Sequence, residues 1–360
     1  ERANHLGGLW TGGLVLPLLS THGTGKDGRR IQVIHGLGGE MASRLKDMGM
    51  AINTINPVID PEAGKYLLDQ MIADSGVKML YHCQAADAIM DGDTIRGIFI
   101  ESKNGRQAVL AKVVIDCTGD GDVYSWAGEK YDKVLCDIGL VHRIGNADRI
   151  NRKAPGYKTL NVGGATPIKG VRWVNMLGEH DQDGTDMLTL SRLQQKHRID
   201  IWNQMKKMHA TPGYEEVFLV DTAPQLGVRA SRLLDGEYQL TLNDTLTYKQ
   251  FDDAIGVCGA WCTLRNLPGG RKIAPKDRPY WQIPYRTLVP KKTDNLLVAG
   301  RCTSYERALV EDCRVIGPCL VTGQGAGAAA ALAVKNGVRP RDVDHAALRK
   351  LLLDQKVWLG

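Results

Sequence analysis

The chain has 360 residues, of which 43% are hydrophobic, so it can bury a sizeable core and is not expected to be disordered. Its net charge is +6, with lysine and arginine scattered among acidic residues, which argues against nucleic acid as the main partner. The longest apolar runs fall short of the roughly 20 residues that cross a bilayer, and eight cysteines are too few for a disulfide scaffold. We therefore expect no membrane span and a reducing compartment, the cytoplasm.

The first third of the chain opens with a glycine-rich stretch, residues 1–13, typical of a loop at a strand end. Apolar residues then recur at helical spacing over 36–48 and 61–75, which predicts two helices. From there short β-type runs, beginning at 78–83, alternate with Asp-Gly and Asn-Gly pairs and predict a three- or four-stranded antiparallel excursion. It ends in the apolar run 111–116, typical of a strand buried in a parallel sheet.

The rest of the chain predicts a second domain and a return to the first. Residues 131–285 mix strand-like and helical segments, with one clear helix over 186–208. Residues 294–301 then read as a buried strand with a glycine turn, and 323–336 as an Ala-rich helix. We predict an α/β fold, in which a Rossmann-like domain, with a parallel sheet and an antiparallel excursion, is interrupted by an α+β domain. The predicted boundaries are 1–130 and 286–360 for the first domain and 131–285 for the second.

Two glycine-rich motifs suggest a ligand. The Thr-Gly-Asp-Gly run at 118–121 lets backbone approach a bulky ligand at the carboxyl end of a parallel strand. Its alternatives are a calcium-binding turn or a simple chain reversal. The Gly-Gln-Gly-Ala-Gly run at 323–327, placed at a helix start, would offer free N–H groups to a phosphate or a flavin carbonyl oxygen. Its alternative is close packing of a helix against a sheet.

Five segments in order resemble the FAD-dependent oxidoreductase family of bacteria and archaea, related in fold to glutathione-reductase-like two-dinucleotide-binding flavoproteins. They are ERANHLGGLWTGG, VVIDCTGDGD, TAPQLGVRASRLLDGEYQLTLND, NLLVAGRCTS and RVIGPCLVTGQGAGAAAALA. The match runs from Glu1 to about Leu352. The resemblance implies FAD as cofactor and transfer of a hydride equivalent between a small organic molecule and the flavin N5, in a direction that the sequence leaves open. It makes the first predicted domain the FAD-binding domain and the second a substrate domain.

The resemblance also implies which residues hold FAD. Those around the adenosine half would be Glu1, on the ribose hydroxyls, with Arg2, Ala85, Thr118, Gly119 and Asp120. Those along the pyrophosphate and the near edge of the flavin would be Gly7, Gly8, Thr11 and Gly13. Those at the ribitol and phosphates would be Gly300 and Arg301. Those under the pyrimidine end of the isoalloxazine would be Gln324, Gly325 and Ala326. No metal is expected.

The sequence departs from the family pattern at its beginning. Members carry an apolar strand and a Gly-x-Gly-x-x-Gly turn roughly 30 residues before the ribose-binding acid, and the 360 residues do not include them. We expect residues preceding Glu1 in the full protein to supply this unit, with a separate polypeptide as the alternative. Without its first strand the parallel sheet would expose two edges, so we expect an oligomer or a completing segment.

Candidates for the reaction itself are His22, Arg229 and Arg286. His22 follows the glycine loop and is a candidate general base, because histidine titrates near neutrality. Arg229 and Arg232 stand three residues apart and suit an anionic substrate, with ion pairs to Asp235 or Glu237 as the alternative. A rival to the enzyme is a non-catalytic scaffold or cofactor-binding subunit of a larger flavoprotein complex.

Overall fold

The computed structural model describes residues 1–25, 27–175, 178–259 and 280–360. These ranges contain eight α-helices, namely α1 Gly36–Asp47, α2 Pro61–Ser75, α3 Asp122–Trp126, α4 Met187–His209, α5 Leu242–Leu246, α6 Val310–Cys313, α7 Ile316–Asn336 and α8 His345–Asp354. They also contain twenty short strands: β1 His22–Thr24, β2 Arg30–Gln32, β3 Ala51–Ile52, β4 Val58–Ile59, β5 Gln84–Asp91, β6 Thr94–Ser102, β7 Gly105–Leu110, β8 Val114–Asp116, β9 Tyr131–Lys133, β10 Cys136–Gly139, β11 His142–Gly145, β12 Gly164–Ala165, β13 Arg172–Val174, β14 Glu179–Gln182, β15 Phe218–Thr222, β16 Gly227–Val228, β17 Arg232–Leu234, β18 Ala254–Gly259, β19 Tyr280–Pro284 and β20 Leu296–Val298. The protein is thus mixed α and β, with its strands divided among several small sheets.

The first third confirms most of the predicted elements. The opening stretch is a loop with one 3-10 turn, Gly8–Trp10, and the two predicted helices are α1 and α2. The Asp60 carboxylate caps α2 by accepting a hydrogen bond from Ala63 N at 3.0 Å, and Gly76 ends that helix with φ 69°.

The antiparallel excursion is the three-stranded meander β5-β6-β7. Its two tight connections contain Gly92 and Gly105, with φ 59° and 84°, as Asp-Gly and Asn-Gly hairpin turns require. The predicted strand at 78–83 is wrong, because this segment forms no strand ladder and bends at His82, whose φ is 56°. Instead its backbone bonds to the chain start, where Cys83 N donates to Glu1 O at 3.2 Å.

Strands β8 and β20 pair in parallel, with Val114 opposite Leu296 and Asp116 opposite Val298. Both strands end at the same edge, where Ala299 N donates to Asp116 O at 2.9 Å. The loops that follow the two strands, 117–122 and 299–301, are therefore brought together, as expected at the carboxyl edge of a parallel sheet. The Rossmann-like arrangement predicted around them stays a prediction.

The middle of the chain is built around two antiparallel sheets and one long helix. The sheets have strand orders β12-β13-β11-β15 and β14-β10-β16, and α4 packs against them through buried Leu193, Ile201 and Met205. The predicted helix over 186–208 is confirmed, and the Asp186 carboxylate caps it by accepting from Thr189 N at 2.8 Å. The division into two domains stays a prediction.

Helix α7 corrects a prediction. It begins at Ile316 and not at Gly323, so the glycine run 323–327 lies in the interior of the helix. Val315, which precedes the first residue of the helix, offers no side-chain cap, which is why the sequence pattern did not reveal the true start. In the described part of the chain α7 is the one helix long and apolar enough to span a membrane, but small residues of it, such as Ala326 and Ala329, are buried in the main hydrophobic core.

Candidate functional site

A groove opens at the carboxyl end of β8. It has a volume of about 280 Å³ and draws its walls from three distant parts of the chain: the start, the segment before the meander, and the loop after β8. Its lining residues are Glu1, Arg2, Cys83, Gln84, Ala85, Ile98, Val114, Ile115, Cys117, Thr118, Asp120, Asp122 and Val123. The structure thus brings together five residues that were predicted around one adenosine, which are Glu1, Arg2, Ala85, Thr118 and Asp120.

Asp116 fixes the loop that forms one wall of this groove. Its buried carboxylate accepts hydrogen bonds from Thr118 N at 2.9 Å, Thr118 Oγ1 at 2.7 Å and Tyr124 N at 3.0 Å. Burial raises the pKa of Asp116, whereas these hydrogen bonds act in the opposite direction. The Thr118 hydroxyl in turn accepts from Asp122 N at 3.0 Å, so the 117–122 loop closes on itself.

Gly119 allows a close approach between this loop and the loop after β20. Its φ is 79°, and a Cβ at this position would lie 2.3 Å from Arg301 Nη1. Arg301 donates from Nη2 to Asp120 Oδ1 at 2.8 Å, and Asp120 opposes the effect of burial and keeps the pKa of Arg301 raised. Gly300 N donates to Thr322 Oγ1 at 3.0 Å, which ties the same loop to α7.

The middle segment of the chain holds the 117–122 loop from the other side. Ser231 Oγ donates to Asp120 Oδ1 at 2.6 Å, while Arg232 Nη1 donates to Asp120 O and Asp122 Oδ1, both at 2.8 Å. Arg232 therefore forms an ion pair with an acidic side chain, which was the alternative to anion binding. Its partner is Asp122 and not Asp235 or Glu237. Arg229 has other acidic partners, Asp137 and Glu311, and a joint role of the two arginines in binding an anion stays a prediction.

The glycine loop at 7–13 is mostly packed on itself. Thr11 is fully buried and donates its hydroxyl hydrogen to Leu6 O, and a Cβ at Gly13 would lie 2.7 Å from the Leu9 side chain. Of the four predicted residues here, Gly8 is the one with open space around it, and its φ is 50°. Gly8 is therefore the position where a ligand can touch this backbone.

A second cavity, of about 740 Å³, begins where the groove ends, because Arg2 lines both. We call it the basic cavity. Its described lining holds no carboxylate and consists of Arg2, Ala3, Asn4, His5, Lys65, Leu190, Ser191, Gln194, Pro224, Gln225, Leu226 and Val228. The amide nitrogen Gln194 Nε2 is buried without a hydrogen-bond partner. The groove and the basic cavity therefore adjoin at Arg2.

A family model for FAD dependent oxidoreductases matches residues 1–133 and 141–352. The chain belongs to the FAD-dependent oxidoreductase family. It is accordingly a flavoprotein sequence, and its cofactor is FAD. This confirms the family and the cofactor that the sequence predicted.

Solved structures give only distant likenesses. A geranylgeranyl bacteriochlorophyll reductase-like protein from Thermoplasma acidophilum is 13% identical with a TM-score of 0.43, over 95% of this chain and 68% of that protein. A p-nitrophenol 4-monooxygenase from Pseudomonas putida is 11% identical with a TM-score of 0.42, over 83% and 59%. A myxobacterial chondrochloren halogenase is 11% identical with a TM-score of 0.38, over 94% and 63%. The chain thus spans 59% to 68% of these proteins. No curated protein matches it.

The three residues predicted for the reaction lie in three different settings. His22 faces a cleft beside α1 that shares no lining residue with the groove. Arg229 forms long ion pairs, Nη1 to Asp137 Oδ2 at 3.5 Å and to Glu311 Oε2 at 3.7 Å. Arg286 is held by Asp253, to which Nε donates at 2.9 Å, and its guanidinium lies over Tyr238. The structure does not bring them together, and their roles stay predictions.

Of the three residues predicted under the isoalloxazine, Gly325 and Ala326 pack inside the fold, whereas Gln324 is half-buried and lines a cavity between α1 and α8. Gln324 Oε1 accepts from Leu37 N at 3.0 Å, and a Cβ at Gly325 would lie 2.6 Å from Ile255 Cδ1. Ala326 is fully buried. These contacts match the packing alternative of the 323–327 motif, and because α7 starts earlier the free N–H groups expected there are absent. The contact of these three residues with FAD stays a prediction, and the free N–H groups of a helix start no longer support it.

Sequence reasoning missed the residues that hold the site in shape. Asp116 was interpreted only as the end of a strand, although an acid two residues before a threonine is a familiar turn-forming signal. Ser231 and Thr322 gave no such signal, because their partners Asp120 and Gly300 lie far away in sequence.

Proposed function

We propose that this chain binds FAD with its adenosine half in the groove and transfers a hydride equivalent between a small organic substrate and the flavin N5. The observation that supports this best is that Glu1, Ala85 and Thr118, from three distant segments, line one groove beside a parallel strand end. Ligands bind at such strand ends in parallel sheets. In this arrangement the Glu1 carboxylate would accept hydrogen bonds from ribose hydroxyls.

We assign further contacts with the dinucleotide to Arg2, Gly8, Gly300 and Arg301, of which Arg2 lines the groove. Gly8 and Gly300 have positive φ, and a Cβ at either would meet no described atom within 4 Å, so backbone can approach the phosphates closely. Arg2 is exposed and lines both the groove and the basic cavity, where it would contact the adenosine half beside Glu1. Arg301 Nε is buried without a partner in the described chain and is a donor for the phosphates.

FAD would supply the hydride chemistry, and the chain would position the substrate and handle its proton. We assign Arg229 to an anionic substrate group, because its ion pairs at 3.5 and 3.7 Å are long enough to be exchanged for a better one. We assign Arg286 a positioning role through Asp253, and His22 the role of proton acceptor. The direction of the reaction is left open, since reductase and dehydrogenase need the same groups.

We further propose that another strand–helix unit, from the same protein or a partner, completes this site. Strand β8 pairs only with β20 among the described strands, so its other edge is open. Gly323 and Gly327 make an exposed face on α7 against which a helix can pack. We place the protein in the cytoplasm, where thiols stay reduced, because all seven described cysteines are free.

The test is FAD binding by the purified protein, followed by its visible flavin absorption and by loss of that absorption on adding candidate substrates without oxygen. Ala85→Trp fills the groove and should abolish FAD binding, whereas Ala108→Trp makes the same change on exposed β7 and should leave it intact. A protein that stays colourless with added FAD would favour the scaffold instead. Equal FAD binding by both variants would show that the adenosine half does not bind in this groove.

A further inference from the structure

The cleft that His22 faces shares no lining residue with the groove or with the basic cavity. It has a volume of about 260 Å³ and lies between β2, α1 and the 51–57 segment. We call it the His22 cleft. Its apolar lining comes from Leu18, Ile34, Ala42, Ala51 and Pro57, and its polar lining from Thr21, His22, Gln32, Ser43, Lys46, Asn53 and Thr54. An apolar base with a polar rim is typical of a small-molecule site.

The Nδ1 atom of His22 lies within hydrogen-bond distance of the Thr21 hydroxyl. The Thr21 hydroxyl donates its only hydrogen to Asn56 Oδ1 at 3.1 Å and accepts from Asn56 N at 2.9 Å. Its remaining lone pair faces His22 Nδ1 at 3.0 Å. With the Thr21 hydroxyl donating to Asn56 Oδ1, this lone pair is placed to accept from Nδ1–H, and this is the tautomer that we assign to His22. The neutral ring therefore keeps a free lone pair on Nε2.

The surroundings keep this ring neutral and the cleft positive. Burial lowers the pKa of His22, and the charges of Arg30 and His35 lower it further. Lys46 stands at the rim and forms no ion pair among the described residues. No carboxylate lines the cleft in the part of the chain that the structure describes. The cleft thus offers one ammonium group for an anion and one imidazole lone pair for a hydrogen-bond donor.

We propose that the His22 cleft binds a small hydroxy carboxylate with an apolar substituent. The carboxylate meets the Lys46 ammonium, the hydroxyl donates to His22 Nε2, and the substituent packs on Leu18 and Ile34. The proposal rests on the proposed function in treating this molecule as the substrate, whose hydroxyl proton His22 would accept. Binding itself requires no flavin chemistry.

Three related probes test the proposal by calorimetric titration of the FAD-loaded protein. Mandelate carries the carboxylate, the hydroxyl and an apolar ring, phenylacetate lacks the hydroxyl, and mandelamide lacks the charge. We expect mandelate to bind about tenfold more tightly than either, because each of the others loses one polar contact. Equal binding of the three probes, or no binding of mandelate, would overturn the proposal.

Two variants identify the site. Lys46→Gln should weaken mandelate about tenfold and leave mandelamide unchanged, while Lys112→Gln, at an exposed lysine outside the cleft, should change neither. His22→Phe should remove the preference for mandelate over phenylacetate. If both variants bind mandelate as the wild type does, mandelate binds outside the His22 cleft. Since flavin reduction is not measured, failure of hydride transfer would leave these results intact, and failure of mandelate binding would leave FAD binding intact.

Discussion

At the scale of single residues, the shape of the groove depends on side chains that hold its 117–122 loop in place. Asp116 is buried, and its carboxylate accepts hydrogen bonds from the backbone of Thr118 and Tyr124. These bonds hold the 117–122 loop so that Thr118 and Asp120 line the groove. Asp120 is itself held by Arg301 and Ser231. A ligand thus meets a wall whose shape is set before binding, which lowers the entropy that binding must overcome.

Gly119→Ala tests this residue-scale design. A Cβ at φ 79° costs about 1–3 kcal/mol, and it would also displace the Arg301 guanidinium from Asp120. Gly128→Ala is the matched control, since its φ is 81° and its Cβ would meet open space. We expect Gly119→Ala to lower the free energy of unfolding more than Gly128→Ala does. We also expect Gly119→Ala to weaken FAD binding and Gly128→Ala to leave it unchanged. Denaturant unfolding and FAD titration measure both, and equal losses in the two variants would contradict the role of Arg301.

At the scale of elements, the groove is a junction between strand ends from different parts of the chain. β8 and β20 supply the two loops, and Arg232 on β17 joins the middle segment to them. Arg232 also lies over the Tyr131 ring on β9, the strand that pairs with β17. The middle of the chain therefore helps to shape a site whose groups come mainly from its two ends.

Replacing Arg232 should loosen this junction. Arg232→Gln removes hydrogen bonds from a charged donor that is only 17% exposed, so we expect a loss of about 1.5–3 kcal/mol in unfolding free energy and about tenfold in FAD affinity. Arg307→Gln is the control, because that side chain is 60% exposed and its pair with Asp132 should contribute little. Urea unfolding of both variants and FAD titration give the comparison. Similar effects from the two replacements would mean that Arg232 does not hold the loop.

The elements also show how far the sequence could be read. Periodicity and hairpin pairs located α1, α2, α4 and the meander, because these depend on local spacing and turn geometry. The start of α7 at Ile316 was not predicted, because neither Val315 nor its neighbours supply a side-chain cap. Five groove residues followed from the family resemblance, but the setting of Arg286 did not. Its partner Asp253 lies 33 residues away, and a pairing at such a distance leaves no local pattern.

At the scale of the whole molecule, the described chain is held together by one main hydrophobic core and several smaller clusters. The main core packs α7 against β18 and β19, while separate clusters fill the middle segment beneath α4. His142, on β11, is 3% exposed within that middle region, and its Nδ1 is buried without a hydrogen-bond partner. Such a ring is compatible with the folded state only when neutral.

Acid should therefore destabilise the protein through His142. Burial lowers the pKa of His142 from its usual 6.5 to about 4. Between these values the unfolded chain binds a proton that the folded chain does not, so stability falls as the pH falls from 6.5 towards 4 and is recovered as it rises. One group with this shift accounts for about 3 kcal/mol. We expect His142→Gln to flatten the pH dependence of the unfolding free energy in this window, whereas His180→Gln, at an exposed histidine, should keep it. Chemical denaturation at a series of pH values measures this, and parallel curves for wild type and His142→Gln would show that His142 is not the group that titrates.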